Sequence, residues 1–90
     1  MITPLEEYIL KAIADKMEEK GMTATDLSLS MGKNAGFISK LFNPKERLRV
    51  NMFHVNTLAR IFHCKMSDFF PNPYIEFDET KFSATKGKDK

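Results

Sequence analysis

The sequence is poor in the residues that form disulfides and metal sites. Cys64 is the single cysteine, so no disulfide can form within the chain. His63 precedes Cys64, but adjacent residues point about 100° apart on a helix, and the sequence does not bring further ligands together. We therefore expect no metal site and no cofactor, and we interpret Cys64 as a buried or half-buried structural residue.

Long apolar runs and catalytic motifs are also missing. No segment approaches the roughly 18 to 20 uncharged apolar residues that cross a bilayer. Glu6 and Glu7 stand where a signal peptide carries basic residues. The sequence has no Gly-rich phosphate loop and no evident group of Cys, His and acid for catalysis. We expect a cytoplasmic protein that is not an enzyme and does not bind membranes.

The composition favours one compact domain. A chain of 90 residues buries only about 60 to 65% of its unfolded surface and cannot support two cores. Gly and Pro number four each, which argues against a low-complexity chain, while eight Phe and six Met supply a core.

Charge is distributed unevenly along the chain. Residues 1–32 hold three lysines against six acidic residues, a net charge of −3. Residues 33–49 hold five basic residues against Glu46 alone, a net charge of +4. A basic block within the part of the chain expected to fold is a candidate phosphate-binding surface.

Capping signals and apolar spacing predict a long first helix. Thr3 and Glu6 form a capping-box pattern, Pro4 suits the first helical position, and Gly21 ends the helix. The apolar stripe of this helix is Leu5, Ile9, Ala12, Ile13 and Met17.

Two short helices follow. Thr23 and Asp26 form a second capping signal, and the helix extends to Met31, before Gly32. Asn34 is predicted to cap a third helix, Asn34 to Phe42, whose inward face holds Phe37, Ile38 and Leu41. Asn43-Pro44 ends it, because the residue before a proline avoids helical geometry.

The rest of the chain predicts a loop, a fourth helix and an extended end. Residues 45–50 lack an apolar stripe, and Asn51 is a plausible cap for a helix with His54 on its surface. Its stripe is Met52, Val55, Leu58, Ala59 and Phe62. Residues 66–70 favour one short helical turn. Weak alternation over Tyr74 to Asp78 suits a short strand or an extended arm, and residues 81–90 are expected to be mobile.

These elements predict an all-α fold, a compact four- to five-helix domain with an extended C-terminal tail. We divide the chain into a folded domain over residues 1–71, a possible strand or dimerisation arm over residues 72–80, and a basic tail over residues 81–90. Two short helices joined by a glycine turn, between a longer first helix and a well-patterned fourth, form a helix-turn-helix arrangement.

The run from Met22 to Leu41, MTATDLSLSMGKNAGFISKL, resembles the helix-turn-helix of the phage-repressor-like (XRE) family. The matching positions are Leu27, Ser28, Gly32, Ile38 and Leu41. Residues 58–70 resemble the closing pair of helices of that family. The sequence departs from the pattern at Lys33, usually aliphatic, at Ser28, usually Ala, and at Ala24, often Gln.

The resemblance implies that the third helix reads DNA in the major groove, where every base pair has a distinct donor and acceptor pattern. The residues it implies for base contacts are Asn34, Ala35, Gly36, Ser39, Lys40 and Asn43. Those it implies for phosphate contacts are Thr23, Thr25, Lys33, Lys45, Arg47 and Arg49. Chemistry supports three of these positions independently. Asn43 could pair with adenine, Lys40 could reach guanine or a phosphate, and Gly36 would let the backbone approach the DNA closely.

The predicted function is therefore a sequence-specific regulator of transcription, a repressor that binds double-stranded DNA as a homodimer. Its dimer surface would lie around Phe53, Phe69 and Phe70, or along Tyr74 to Asp78 by strand pairing. Two alternatives remain open. One is an antitoxin-type autorepressor that also binds a small protein partner, and the other is a protein-interaction module that has lost DNA binding.

Overall fold

The computed structural model describes residues 3–82, which form four α-helices and two short 3-10 helices. The α-helices are α1 (Pro4–Lys20), α2 (Ala24–Ser30), α3 (Phe37–Phe42) and α4 (Met52–Phe62). The 3-10 helices are Met66–Phe69 and Glu79–Phe82. The predicted all-α fold is confirmed.

The predicted helix ends are largely those observed, because side chains near in sequence determine them. The Thr3 hydroxyl accepts from the Glu6 amide at 3.1 Å, and Glu6 Oε1 accepts from the Thr3 amide at 2.8 Å. Thr23 and Asp26 form the same reciprocal pair at the start of α2. Asn51 caps α4. Gly21 ends α1 with φ 65°, a left-handed conformation that favours glycine.

The core is built from side chains of all four α-helices and of the 3-10 helix Met66–Phe69, and α2 and α3 also pack against each other. Its fully buried large side chains are Ile13, Leu27, Ile38, Val55, Leu58, Phe62 and Phe69. The stripe predicted for α4 is confirmed except at Met52, which is 57% exposed. Met52 stands at the first position of α4.

Two of the expectations for the C-terminal half are contradicted. Of the strand and the extended arm expected as alternatives over Tyr74 to Asp78, the strand is not formed, since residues 3–82 contain none, and Ile75 and Phe77 are half-buried. Phe69, proposed for a dimer surface, is fully buried against Phe62 with the ring centroids 6.3 Å apart. Alternation and aromatic character did not reveal which neighbours would cover these side chains.

The basic tail is described only at its beginning. Lys81 lies within the second 3-10 helix. Residues 83–90, for which we predict mobility, lie outside the described residues. Within residues 3–82, no helix combines the length and apolar character needed to cross a bilayer.

Candidate nucleic-acid interface

The turn between α2 and α3 is built around Gly32 and Asn34. Gly32 follows the end of α2 with φ 76°, which confirms the predicted glycine turn. The prediction that Asn34 caps α3 is wrong, because α3 begins at Phe37 and its cap position is Gly36. Asn34 instead forms a turn before the helix: its Oδ1 accepts from the Gly36 amide and its carbonyl from the Phe37 amide, both at 3.1 Å. Asn side chains favour such local turns over helix interiors.

Ser28 joins α2 to α3 through a buried hydrogen-bond bridge. Its side chain is fully buried. The hydroxyl donates to the Ala24 carbonyl at 2.7 Å and accepts from the Ile38 amide at 2.9 Å. Sequence reasoning treated Ser28 as a small residue that lets two helices approach and missed this role. The sequence carries no signal for this role, because Ser28 and Ile38 lie ten positions apart.

α3 has one buried and one exposed face. Ile38 and Leu41 are buried and Phe37 is half-buried, as predicted for the inward face. Every residue predicted to contact bases is exposed, on α3, on the turn before it or directly after it: Asn34, Ala35, Gly36, Ser39, Lys40 and Asn43. The predicted base-contact residues are therefore all exposed, while Ile38 and Leu41 anchor α3 in the core.

Asn43 is partly engaged within the chain. Its Oδ1 accepts from the Lys45 amide at 3.0 Å, which closes the turn after α3. A carboxamide oxygen has two lone pairs, so this hydrogen bond leaves one acceptor position and the amide donors for an adenine.

The residues predicted to contact phosphate fall into two groups. Thr23, Thr25, Lys33, Lys45 and Arg47 are exposed. Arg49 is half-buried: its Nε lies 3.6 Å from Glu6 Oε2, and its Nη1 donates to the carbonyl of Glu46 at 2.9 Å. Arg49 thus links the loop after α3 to the start of α1.

The side chain of His54 is half-buried, whereas the sequence predicted that it lies on the surface of the fourth helix. Its Nδ1 accepts from the Asn51 amide at 3.2 Å, and its ring meets the ring of Phe37 edge-on with centroids 5.1 Å apart. The Lys33 ammonium lies 5.5 Å from the centroid of that Phe37 ring. Burial lowers the pKa of His54 below its ordinary value, and the nearby Lys33 charge lowers it further.

Other chemistry is scarce in the described part of the chain. No three His, Cys, Asp or Glu side chains within residues 3–82 converge on a possible metal position. The Cys64 thiol is half-buried. Burial raises its pKa, although Lys16 acts in the opposite direction. A raised pKa keeps the thiol protonated and therefore weakly nucleophilic.

Comparison with known families agrees with this geometry. A family model for the Cro/C1-type HTH (helix-turn-helix) DNA-binding domain matches residues 12–71, from within α1 to just beyond the first 3-10 helix. No curated protein and no solved structure matches the chain. The family is one of DNA-binding domains, typically without catalytic activity, and it makes DNA the implied partner. On this match, the chain belongs to the Cro/C1-type HTH DNA-binding domain family.

Proposed function

We propose that this protein is a sequence-specific regulator of transcription, a repressor that places α3 in the major groove of duplex DNA. The observation that carries the proposal is the division of α3 into a buried apolar face and an exposed polar face. A helix held in this way can enter the groove without uncovering its own core. The proposed base contacts are those that the resemblance implied, from Asn34 to Asn43.

The charge around α3 supports the same orientation. Lys33 precedes the helix, Lys45 and Arg47 follow it, and all three side chains are exposed. Cations on both sides of a groove-reading helix neutralise phosphates and set the register of the protein on the duplex. Thr23 and Thr25, at the start of α2, are the proposed phosphate contacts of the bracing helix.

The proposed regulator binds DNA as a homodimer. One short helix reads only a few base pairs, whereas a homodimer places two recognition helices about 34 Å apart along one face of the duplex. The first two residues of α4 suit the dimer contact, because Met52 is 57% and Phe53 is 84% exposed. A large apolar side chain in water is stabilised when a second copy covers it.

The test is selection of bound duplexes from a random library, followed by titration of the winning duplex. We expect a palindromic site, since two-fold symmetry of the protein is mirrored in its operator. Lys40→Ala is expected to reduce the preference for the selected duplex by about fivefold or more, the effect of losing one base contact. Arg47→Ala is expected to weaken binding to all duplexes alike and to reduce the salt dependence by a slope of about 0.9.

Lys11→Ala is the matched control for both variants. It removes one positive charge from α1, where the ammonium pairs with Asp15 at 3.3 Å. This variant should retain both the preference and the salt slope of the wild type. Absence of any binding at low salt, where even nonspecific contacts are visible, would contradict the proposal and favour a protein-interaction module.

A further inference from the structure

We propose that Ser28 is a positioning residue for DNA recognition: its hydroxyl fixes the orientation of α3 on α2, and sequence discrimination depends on that orientation. Ser28 is fully buried and so does not touch DNA itself. The inference rests on the proposed function and adds a residue that the implied contact residues do not include.

Ser28 connects three consecutive parts of the motif. Its hydroxyl donates to the Ala24 carbonyl in α2 at 2.7 Å and accepts from the Ile38 amide in α3 at 2.9 Å. Its own carbonyl accepts from the Lys33 amide at 3.0 Å, which holds the chain directly after the glycine turn. A shift of α3 relative to α2 would therefore break or stretch at least one of these hydrogen bonds.

The hydrogen bond between Ser28 and the Ile38 amide constrains the orientation of α3, which the apolar contacts alone do not. α3 has six residues, far fewer than the roughly 12 to 15 that an isolated helix needs even for marginal stability. Its placement thus depends on what it packs against. Leu27, Ile38 and Leu41 provide burial, but burial is non-directional, whereas a hydrogen bond constrains both distance and angle.

The hydroxyl also satisfies a backbone group that has no partner within α3. The first amides of a helix have no intrahelical acceptor, and Gly36 at the cap position has no side chain to offer one. Because the Ser28 proton is directed to Ala24, its oxygen is left as the acceptor for the Ile38 amide. Alanine at this position would remove that acceptor, and α3 would have to move for the amide to find another.

The experiment compares Ser28→Ala with Val55→Ala, a buried truncation on α4 that leaves the α2–α3 bridge intact. Affinities for the selected duplex and for a scrambled duplex are measured where circular dichroism shows each variant to be folded. We expect Ser28→Ala to reduce the preference for the selected duplex by about fivefold or more, as for loss of one base contact. Binding to the scrambled duplex should be unchanged, because phosphate contacts depend little on the fine orientation of α3. Val55→Ala should retain the preference.

Two further measurements keep the test decisive. Hydrogen exchange of the Ile38 amide should accelerate in Ser28→Ala more than that of core amides in α4. Ser28→Cys fills a similar space with a weak acceptor, so it should also lose preference, and it replaces the alanine variant if that one does not fold. An unchanged preference in a folded Ser28 variant overturns the positioning role and leaves the proposed function standing. A wild type that prefers no duplex overturns the proposed function, and the positioning role with it.

Discussion

His54 illustrates how a single residue acquires its properties from its neighbours. Its ring nitrogen Nδ1 accepts from the Asn51 amide, and only the neutral imidazole offers that acceptor. Phe37 lies against the ring and Lys33 contributes a nearby positive charge. Burial of the ring disfavours its charged form and lowers the pKa of His54 from its ordinary value of 6.5, and the Lys33 charge lowers this pKa further.

This lowered pKa predicts a stability that depends on pH. Below the ordinary His pKa the unfolded chain binds a proton at this position more readily than the folded chain does. The free energy of unfolding should therefore fall as pH drops through 6.5 towards the lower pKa of the folded state. Urea unfolding at about pH 7.5 and about pH 5.5 measures the effect.

His54→Gln is the matched variant, because a glutamine at this position can still accept from the Asn51 amide but does not titrate. It should lose less stability over the same pH interval than the wild type. Equal losses in the two proteins would show that the environment of His54 does not favour the neutral ring.

Residue roles were predictable where a partner lies three or four positions away. The capping boxes at Thr3 and Thr23 are confirmed because both partners belong to one helical turn. The bridge from Ser28 to Ile38 spans ten positions, and the contact of Arg49 with Glu6 spans most of α1 and all of α2 and α3. Such contacts depend on how elements pack, which single-residue patterns do not reveal.

At the scale of elements, the two glycines around the α2–α3 turn separate stability from recognition. Gly32 has φ 76°, and a Cβ added there would meet nothing within 4 Å, so only the backbone conformation opposes a side chain. Gly36 has φ −93°, which any residue adopts, and an added Cβ would meet only Asn34 Oδ1 at 3.8 Å. The backbone conformation therefore favours glycine at position 32, whereas position 36 can accept a side chain.

We therefore predict that alanine at Gly32 affects stability, whereas alanine at Gly36 affects DNA binding. Gly32→Ala should lower the free energy of unfolding by about 1 to 2 kcal/mol, the cost of a left-handed alanine, and Gly32→Asn by less, since Asn tolerates that conformation. Gly36→Ala should leave unfolding nearly unchanged but weaken binding of the selected duplex, because the new methyl group stands on the exposed face of α3. Denaturant unfolding and fluorescence anisotropy measure the two effects. Gly36→Ala with undiminished affinity would remove this position from the interface.

Element boundaries were predicted well where side chains define them and poorly where packing does. α1, α2 and α4 begin at the predicted caps. α3 begins three residues later than Asn34, because the carboxamide of that residue closes a turn with Gly36. Weak alternation over Tyr74 to Asp78 left a strand and an extended arm open. The strand is not formed, because alternation alone does not supply a partner strand, and Ile75 lines an apolar groove with Leu5 and Phe77.

At the scale of the whole molecule, charge distinguishes a basic region around α3 from a predominantly acidic α1. The basic residues 33–49 surround α3, whereas α1 carries five acidic residues against three lysines. Arg49, the one predicted phosphate contact that is half-buried, joins the two regions through Glu6. The family, the fold and the exposed face of α3 were predictable from sequence. The burial of Phe69 was not.

Phe53 and Phe69 differ in burial, although the sequence predicted both for one candidate dimer surface. Phe69 is fully buried against Phe62, so Phe69→Ala should lower the free energy of unfolding by about 3 to 5 kcal/mol, as measured by denaturant unfolding.

Phe53 is 84% exposed, so Phe53→Ser should leave the unfolding of the monomer nearly unchanged. If Phe53 lies in the proposed dimer contact, the same substitution should raise the dimer dissociation constant, as measured by sedimentation equilibrium. It should also weaken binding to a palindromic site more than to a single half-site. A dissociation constant that Phe53→Ser leaves unchanged would exclude the start of α4 from the dimer surface.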